Sequence, residues 1–209
     1  MMPKVTEGTS KLEEALRLTQ AGFWVVPQLG KRAVAMGWDQ WRLSEEDLRG
    51  YLSDGRLNIA IVLSKCPLVD VECDGPEAEH ELVQMCGKDT LRTPTWKSKR
   101  GLHRLFVRPK DLPLRAKVEV GHIEVRIGNR PALSTVPPSV HEEGVTYRWL
   151  PGLSVWDFDE GNPPLPLPEP LVRKLMVAPK PIKRERGEGD GEVIVEGGRN
   201  DELYRHGCR

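Results

Sequence analysis

The run Pro67-Leu68-Val69-Asp70-Val71-Glu72 carries two carboxylates two positions apart in an otherwise apolar stretch. Side chains alternate between the faces of a β-strand, so Asp70 and Glu72 share one face while Val69 and Val71 point into a core. Ile123-Glu124-Val125-Arg126-Ile127 repeats the logic, with Ile123, Val125 and Ile127 on the buried face and Glu124 and Arg126 on the other. If the two strands are neighbours, three carboxylates meet on one surface. Like charges at such range repel, and a fold keeps them together when a cation offsets the cost or when one carboxyl holds a proton. A divalent metal is the simpler answer. Carboxylates without an accompanying Cys/His cluster favour a hard ion, Mg²⁺ or Mn²⁺, which keeps waters and takes further ligands from substrate phosphates. Such a set is equipment for phosphoryl transfer. Burial of any of the three against a permanent arginine partner would overturn it, and Arg126 is one residue that could neutralise Glu124 from the same face.

The elements that must position these residues are legible from caps, turns and periodicity. Ser10 with Glu13 forms a capping box for a first helix with Leu12, Ala15, Leu16 and Thr19 on one face, and Gly22 supplies its stop. Phe23 to Pro27 reads as a short buried strand. A loop at Gln28 to Arg32 follows, in which Lys31 is within reach of a phosphate or simply solvated. A second box, Ser44 with Asp47, starts a helix with Leu48, Tyr51 and Leu52 inward. Asn58 to Leu63 is a near-continuous apolar run, expected to pair as a hairpin with the Asp70/Glu72 strand. Asp74-Gly75-Pro76 opens a third helix with Asp74 as its N-cap. Two strands flank the turn Lys99-Arg100-Gly101, and the second places His103 on the face of Leu105 and Val107. Lys110 to Lys117 reads as a basic loop. Gly121 to Ile127 and Ala132 to Val136 read as a hairpin turned at Gly128-Asn129-Arg130. A last strand centres on Tyr147-Arg148-Trp149. The pattern predicts an α+β domain, with helices flanking a mainly antiparallel sheet.

Composition narrows the class further. The 31 basic and 31 acidic residues cancel overall. Locally they separate: residues 61–91 carry seven acids and two bases, and residues 92–130 carry eleven bases and three acids. An acidic cluster beside a basic apron suits a metal site that also holds a polyanion. Four cysteines without a CxxC pair read as reduced thiols of a soluble, cytoplasmic protein, with no membrane segment. A zinc site on Cys73, His80 and Cys86 lacks an obvious fourth ligand, so zinc is not expected. Trp38 and Trp41 read as core or cleft wall. Residues 151–170 form a proline-rich strap leading to a short helix at Leu171 to Met176. The catalytic-type domain is therefore placed at 1–177, a charged Pro/Gly-rich linker at 178–196, and the start of a helical module at 197–209.

Taken in order, Asp70-x-Glu72, His103 after a Gly-containing turn, Glu124 between hydrophobic residues, Pro137-Pro138-Ser139 and Gly144-x-x-Tyr147 resemble the archaeo-eukaryotic primase superfamily. The likeness is in particular to the bifunctional primase-polymerase N-terminal domain of plasmid, phage and other mobile-element replication proteins. Gly30-Lys31 with Gly37-Trp38 is similar to that family's N-terminal signature, and the resemblance spans roughly Leu12 to Leu175. Gly101 departs from the serine often found two residues before the histidine. The resemblance implies an RRM-like, primase-type core in which Asp70, Glu72 and Glu124 hold two Mg²⁺ or Mn²⁺ ions. It implies that His103, with Arg100, Arg126 or Lys31, binds the triphosphate of a dNTP or NTP, and that the segment from Lys97 to Lys117 tracks a DNA template. A helical and possibly a helicase module would follow downstream. The competing readings are a nucleic-acid-binding module that lacks catalysis and a metal-dependent nuclease.

Overall fold

The computed structural model describes residues 9–113 and 115–177. The expected linker and the start of the helical module at 197–209 lie outside the described residues. Helix α1 (Lys11–Gln20) begins at the expected box: Ser10 Oγ accepts from the Glu13 amide at 3.1 Å, and Glu13 accepts from the Ser10 amide at 2.7 Å. β1 (Val25–Leu29), β2 (Arg32–Ala33) and α2 (Glu45–Leu52) follow. Ser44 and Asp47 cap α2 reciprocally, and Leu48 and Leu52 are buried, whereas Tyr51, expected inward, is 39% exposed. The chain continues through β3 (Asn58–Val62), β4 (Leu68–Cys73), α3 (Pro76–Cys86), β5 (Thr95–Lys97) and β6 (Leu102–Val107). It ends in β7 (Lys117–Val120), β8 (Ile123–Arg126), β9 (Leu133–Thr135), β10 (Arg148–Trp149) and α4 (Glu169–Val177).

The fold is α+β, and its strands form two antiparallel sheets, β2-β1-β3-β9 and β10-β5-β6-β4-β8-β7. Two expected hairpins are corrected by this. β3 and β4 do not pair: a single 3₁₀ turn at Leu63–Lys65 carries the chain from the first sheet to the second. Likewise β8 pairs with β7, and β9 lies on the first sheet beside β3. The basic stretch had concealed β7, whose alternation of buried Val118 and Val120 with exposed Lys117 and Glu119 is that of an edge strand. Arg108 holds the two crossovers together. Its guanidinium donates to the carbonyls of Cys66 (2.8 Å), Ile127 (3.0 Å) and Leu63 (3.4 Å). A second tie fixes β3 to the Pro-Pro-Ser turn, where the Pro137–Pro138 bond is cis. Ser139 Oγ accepts from the Ile59 amide and donates to its carbonyl, while the Asn58 side chain bonds both backbone groups of Val140.

β4 lies inside the six-stranded sheet with all six residues buried. One face, with Val69, Val71 and Cys73, packs with Ala78 and Leu82 of α3 and Leu171 and Leu175 of α4. Burying each valine contributes roughly 2 kcal/mol. The other face belongs to the space between the sheets, where Leu68, Trp96 and Leu105 meet Ile59, Ile61, Ala15 and Leu18. A bidentate pair from Arg104 to Glu79 (2.8 and 2.5 Å) locks α3 onto β6. The start of α3 corrects a further expectation. Gly75, at φ 96°, occupies the cap position without a side-chain hydrogen bond, and Asp74 instead pairs with Arg100 at 3.2 Å. Among the described residues, no helix is long and apolar enough to cross a membrane.

Candidate active site

Strand register brings the acidic residues together on the inter-sheet face of the six-stranded sheet. His103 of β6 and Glu124 of β8 lie directly opposite Glu72 on its two sides, and Glu119 of β7 lies opposite Glu124. One rung away, Asp70 stands opposite Leu105 and Arg126. The row His103–Glu72–Glu124–Glu119 thus sets like charges side by side, which costs stability unless cations intervene. Arg126 intervenes. Its guanidinium lies 3.0 Å from Asp70, 2.9 Å from Glu124 and in close contact with Glu72, with its side chain 18% exposed. Lys117 pairs with Glu124 at the rim.

His103 is held inside the same cluster. Its ring stacks on Trp96 with centroids 4.8 Å apart and planes 9° apart. Nδ1 lies 3.1 and 3.2 Å from the Asp70 carboxylate, and Nε2 lies 3.5 Å from Glu72. The remaining neighbour comes from the other sheet, where Ser134 of β9 donates to Asp70 at 2.6 Å. Burial works against ionisation of Asp70, but His103, Arg126 and Ser134 together hold its carboxyl below the usual range. Glu72 lacks that support: burial, joined by repulsion from Asp70, pushes its carboxyl up despite His103 and Arg126. Burial also opposes the charge of Glu124, yet Lys117 and Arg126 bring its carboxyl down. Burial alone would favour loss of the Arg126 proton, and the three carboxylates reverse that, holding the guanidinium more firmly charged than usual.

A cavity of about 290 Å³ opens beside this cluster, lined by Glu72, His103 and Arg126 from one sheet and by Gln28, Lys31 and Trp38 from the segment around β1 and β2. Pro131, Ala132, Leu133, Thr135 and Tyr147 complete its wall. The structure therefore gathers Asp70, Glu72, Glu124, His103 and Arg126, and sets Lys31 across the cavity from them. It does not gather Arg100, which is spent on Asp74 in the β5–β6 turn, 60% exposed. Two further expectations change. His103 lines the cavity and, at the same time, is hydrogen-bonded to the carboxylates. The basic apron is also thinner than its charge count, because Arg104 and Arg108 are spent on Glu79 and on backbone carbonyls. Trp38 lines the cavity, while Trp41 is 68% exposed, with its indole laid over Gly37 where a Cβ would meet Nε1 at 2.2 Å.

Gly101 also has a physical reason. A Cβ there would lie 1.7 Å from the carbonyl oxygen of Cys73, so the end of β4 leaves room for no side chain. Sequence reasoning missed Ser134 and Trp96. Ser134 sits on the other sheet, 64 positions from Asp70, and Trp96 reads as an ordinary core residue; only the register Trp96–His103 links it to the site.

The donor set suits a hard divalent cation, since three carboxylates and no thiolate share one face of the sheet, with Glu72 lining the cavity and Asp70 and Glu124 beside it. As arranged, however, Arg126 stands where a cation belongs. Among the described residues no group of three or more His, Cys, Asp or Glu side chains is disposed to close on an ion, whether at the acidic trio or at Cys73, His80 and Cys86. This is the arginine pairing that the sequence reading set against a metal.

The family comparison weighs on the other side. The model for the N-terminal domain of bifunctional DNA primase/polymerases matches residues 15–170, from the middle of α1 to the start of α4. The chain belongs to that family. No curated protein matches it significantly.

Proposed function

We propose that this domain is a template-dependent primase-polymerase core. It transfers nucleotides from dNTPs or NTPs to a primer end or an initiating nucleotide, with release of pyrophosphate, in the replication of a plasmid, phage or other mobile element. The observation that carries the reading is the convergence of Asp70, Glu72 and Glu124 on one face beside a cavity, in a chain of the primase/polymerase family.

In this reading Asp70, Glu72 and Glu124 hold two Mg²⁺ or Mn²⁺ ions. Such a pair, when bound, activates the attacking 3′-hydroxyl and neutralises the leaving pyrophosphate. No protein nucleophile is needed, because alignment and electrostatics supply most of the rate. Ser134 and His103 orient Asp70, and the Trp96 stack fixes the plane of the imidazole. Lys31 and Arg126 face the cavity and receive the triphosphate through charge-assisted hydrogen bonds. Exposed bases between Lys97 and Lys117 bind template backbone, so affinity falls with salt.

The test is incubation with a primed template, Mn²⁺ and labelled dNTPs. Extension is expected; degradation of the primer would indicate a nuclease, and binding without either would indicate a non-catalytic module. Asp70→Ala or Glu72→Ala should lower extension at least 10³-fold, about 4 kcal/mol of barrier, in protein whose circular dichroism shows it folded. Extension retained by either variant would overturn the carboxylate assignment.

A further inference from the structure

The odd feature of the site is that its cation is covalently attached. Arg126 contacts Asp70, Glu72 and Glu124 at once, whereas Arg104 and Arg100 each contact a single carboxylate residue, Glu79 and Asp74. A guanidinium keeps its charge at any working pH, so it cannot vacate the cluster by deprotonating. It can vacate only by moving. The path is open on one side, because Arg126 and Lys31 line the same cavity and the Arg126 side chain is partly exposed.

Resting on the proposed function, we propose that Arg126 is an exchangeable placeholder that makes divalent-metal and triphosphate binding mutually dependent. Without ligands it contacts all three carboxylates, joined by Lys117 at Glu124 and His103 at Asp70 and Glu72. A dication cannot share those oxygens with the guanidinium, so a metal arriving alone must strand Arg126 in a largely buried position with no anion to meet it. A triphosphate arriving alone meets the Glu72 carboxylate in the cavity wall, with Lys31 and Arg126 as the cations lining it, and Arg126 is occupied. When both arrive, partners are exchanged: the carboxylates take the metal, and the guanidinium turns into the cavity to grip phosphate oxygens, for which its planar fork is well shaped. Each ligand then pays part of the other's entry cost, and the coupling is reciprocal. The consequence for function is that an idle domain does not hold metal, and closes its site only on a complete metal–nucleotide pair.

The test is binding of Mn²⁺ alone to the full chain, read from the electron paramagnetic resonance signal of free Mn²⁺, in wild type, Arg126→Gln and Arg126→Lys. Arg126→Gln, which removes the competing charge, is expected to bind Mn²⁺ at least about 10-fold more tightly than wild type, within the usual range of such couplings. Arg126→Lys, which keeps the charge, should stay weak. Equal or weaker binding by Arg126→Gln overturns the exchange while leaving the carboxylate metal site standing. Mn²⁺ binding by neither wild type nor variant, with or without nucleotide, overturns both proposals. A second measurement needs no variant. Mg²⁺ alone and a non-hydrolysable dNTP analogue alone should each leave the thermal midpoint of wild type nearly unmoved, whereas the two together should raise it by about 5 °C or more. Midpoint rises from the single ligands that add up to the joint rise would overturn the coupling.

Discussion

Arg126 and Arg108 each fold a guanidinium group into this domain, and their partners differ in kind. Arg108 donates to three backbone carbonyls, of Leu63, Cys66 and Ile127, where the chain crosses between sheets. Those carbonyls belong to backbone that has left one sheet and not yet joined the other; the Leu63 carbonyl also accepts from the Cys66 amide at 3.3 Å, whereas those of Cys66 and Ile127 depend on the arginine. Arg126 meets three carboxylates, which accept any cation that fits. The same side chain is therefore a fixture in one place and exchangeable in the other, and the difference lies in what its partners could do without it. Burying a charged group says little by itself about whether it serves stability or function.

The comparison breaks most visibly at Arg108. Arg108→Ala leaves up to two part-buried carbonyls, of Cys66 and Ile127, without a donor, since the Leu63 carbonyl keeps the Cys66 amide, and the loss should be about 3 kcal/mol. In a domain of this size that is a fall in thermal midpoint of about 10 °C. The fraction that remains folded should extend primers at close to the normal rate, since no Arg108 contact reaches the carboxylates. A loss below about 1 kcal/mol in a denaturant titration would show that the crossovers hold themselves. Arg108→Lys should recover little, because one ammonium cannot span three carbonyls.

Gly101→Ser is expected to have the next largest effect and to act on both sides of the comparison. The new Cβ would meet the Cys73 carbonyl oxygen at 1.7 Å, and the clash is with backbone, which cannot swing aside. The end of β4 must shift, and with it the pairing of Glu72 with His103 one residue away. A destabilisation of about 2 kcal/mol is expected, in the range of overpacked sites, together with a drop in extension rate of about 10-fold or more from misplacing the carboxylates. Wild-type stability and rate in this variant would mean that β4 and β6 tolerate a wider spacing.

How much of this was legible in the sequence divides along the same line. Contacts made within a few residues were readable: both capping boxes, the alternation that puts Asp70 and Glu72 opposite Val69 and Val71, and the hairpin around Arg100. The order of acidic strand, histidine strand and second acidic strand identified the family because order survives without knowledge of pairing. What failed was assignment of neighbours to sheets. A short turn between two apolar runs suggests a hairpin, and nothing local reveals that Leu63–Lys65 and Gly128–Arg130 are crossovers whose fixture is Arg108. Asp74 was read as a cap because caps are local, whereas its partner Arg100 is 26 positions away. Arg126 was readable as a neighbour of Glu124, but its simultaneous hold on β4 depends on register.

Ser134→Ala gives the smallest and most discriminating change. The Ser134 hydroxyl is 2.6 Å from Asp70, reaches it from the four-stranded sheet, and is fully buried. Removing it deletes one hydrogen bond to a charged acceptor and leaves a space of only one oxygen atom. Asp70 retains Arg126 and His103, so the acceptor is not orphaned and the loss should be about 1 kcal/mol. If Arg126 is the group that neutralises the site, extension should fall only a few-fold, since the trio keeps its charge and its register. A loss of extension approaching that of Asp70→Ala would instead make the inter-sheet hydroxyl the group that positions Asp70. Arg126 would then be free to leave without disturbing it, and the two sheets, more than the arginine, would be what holds the carboxylates in place.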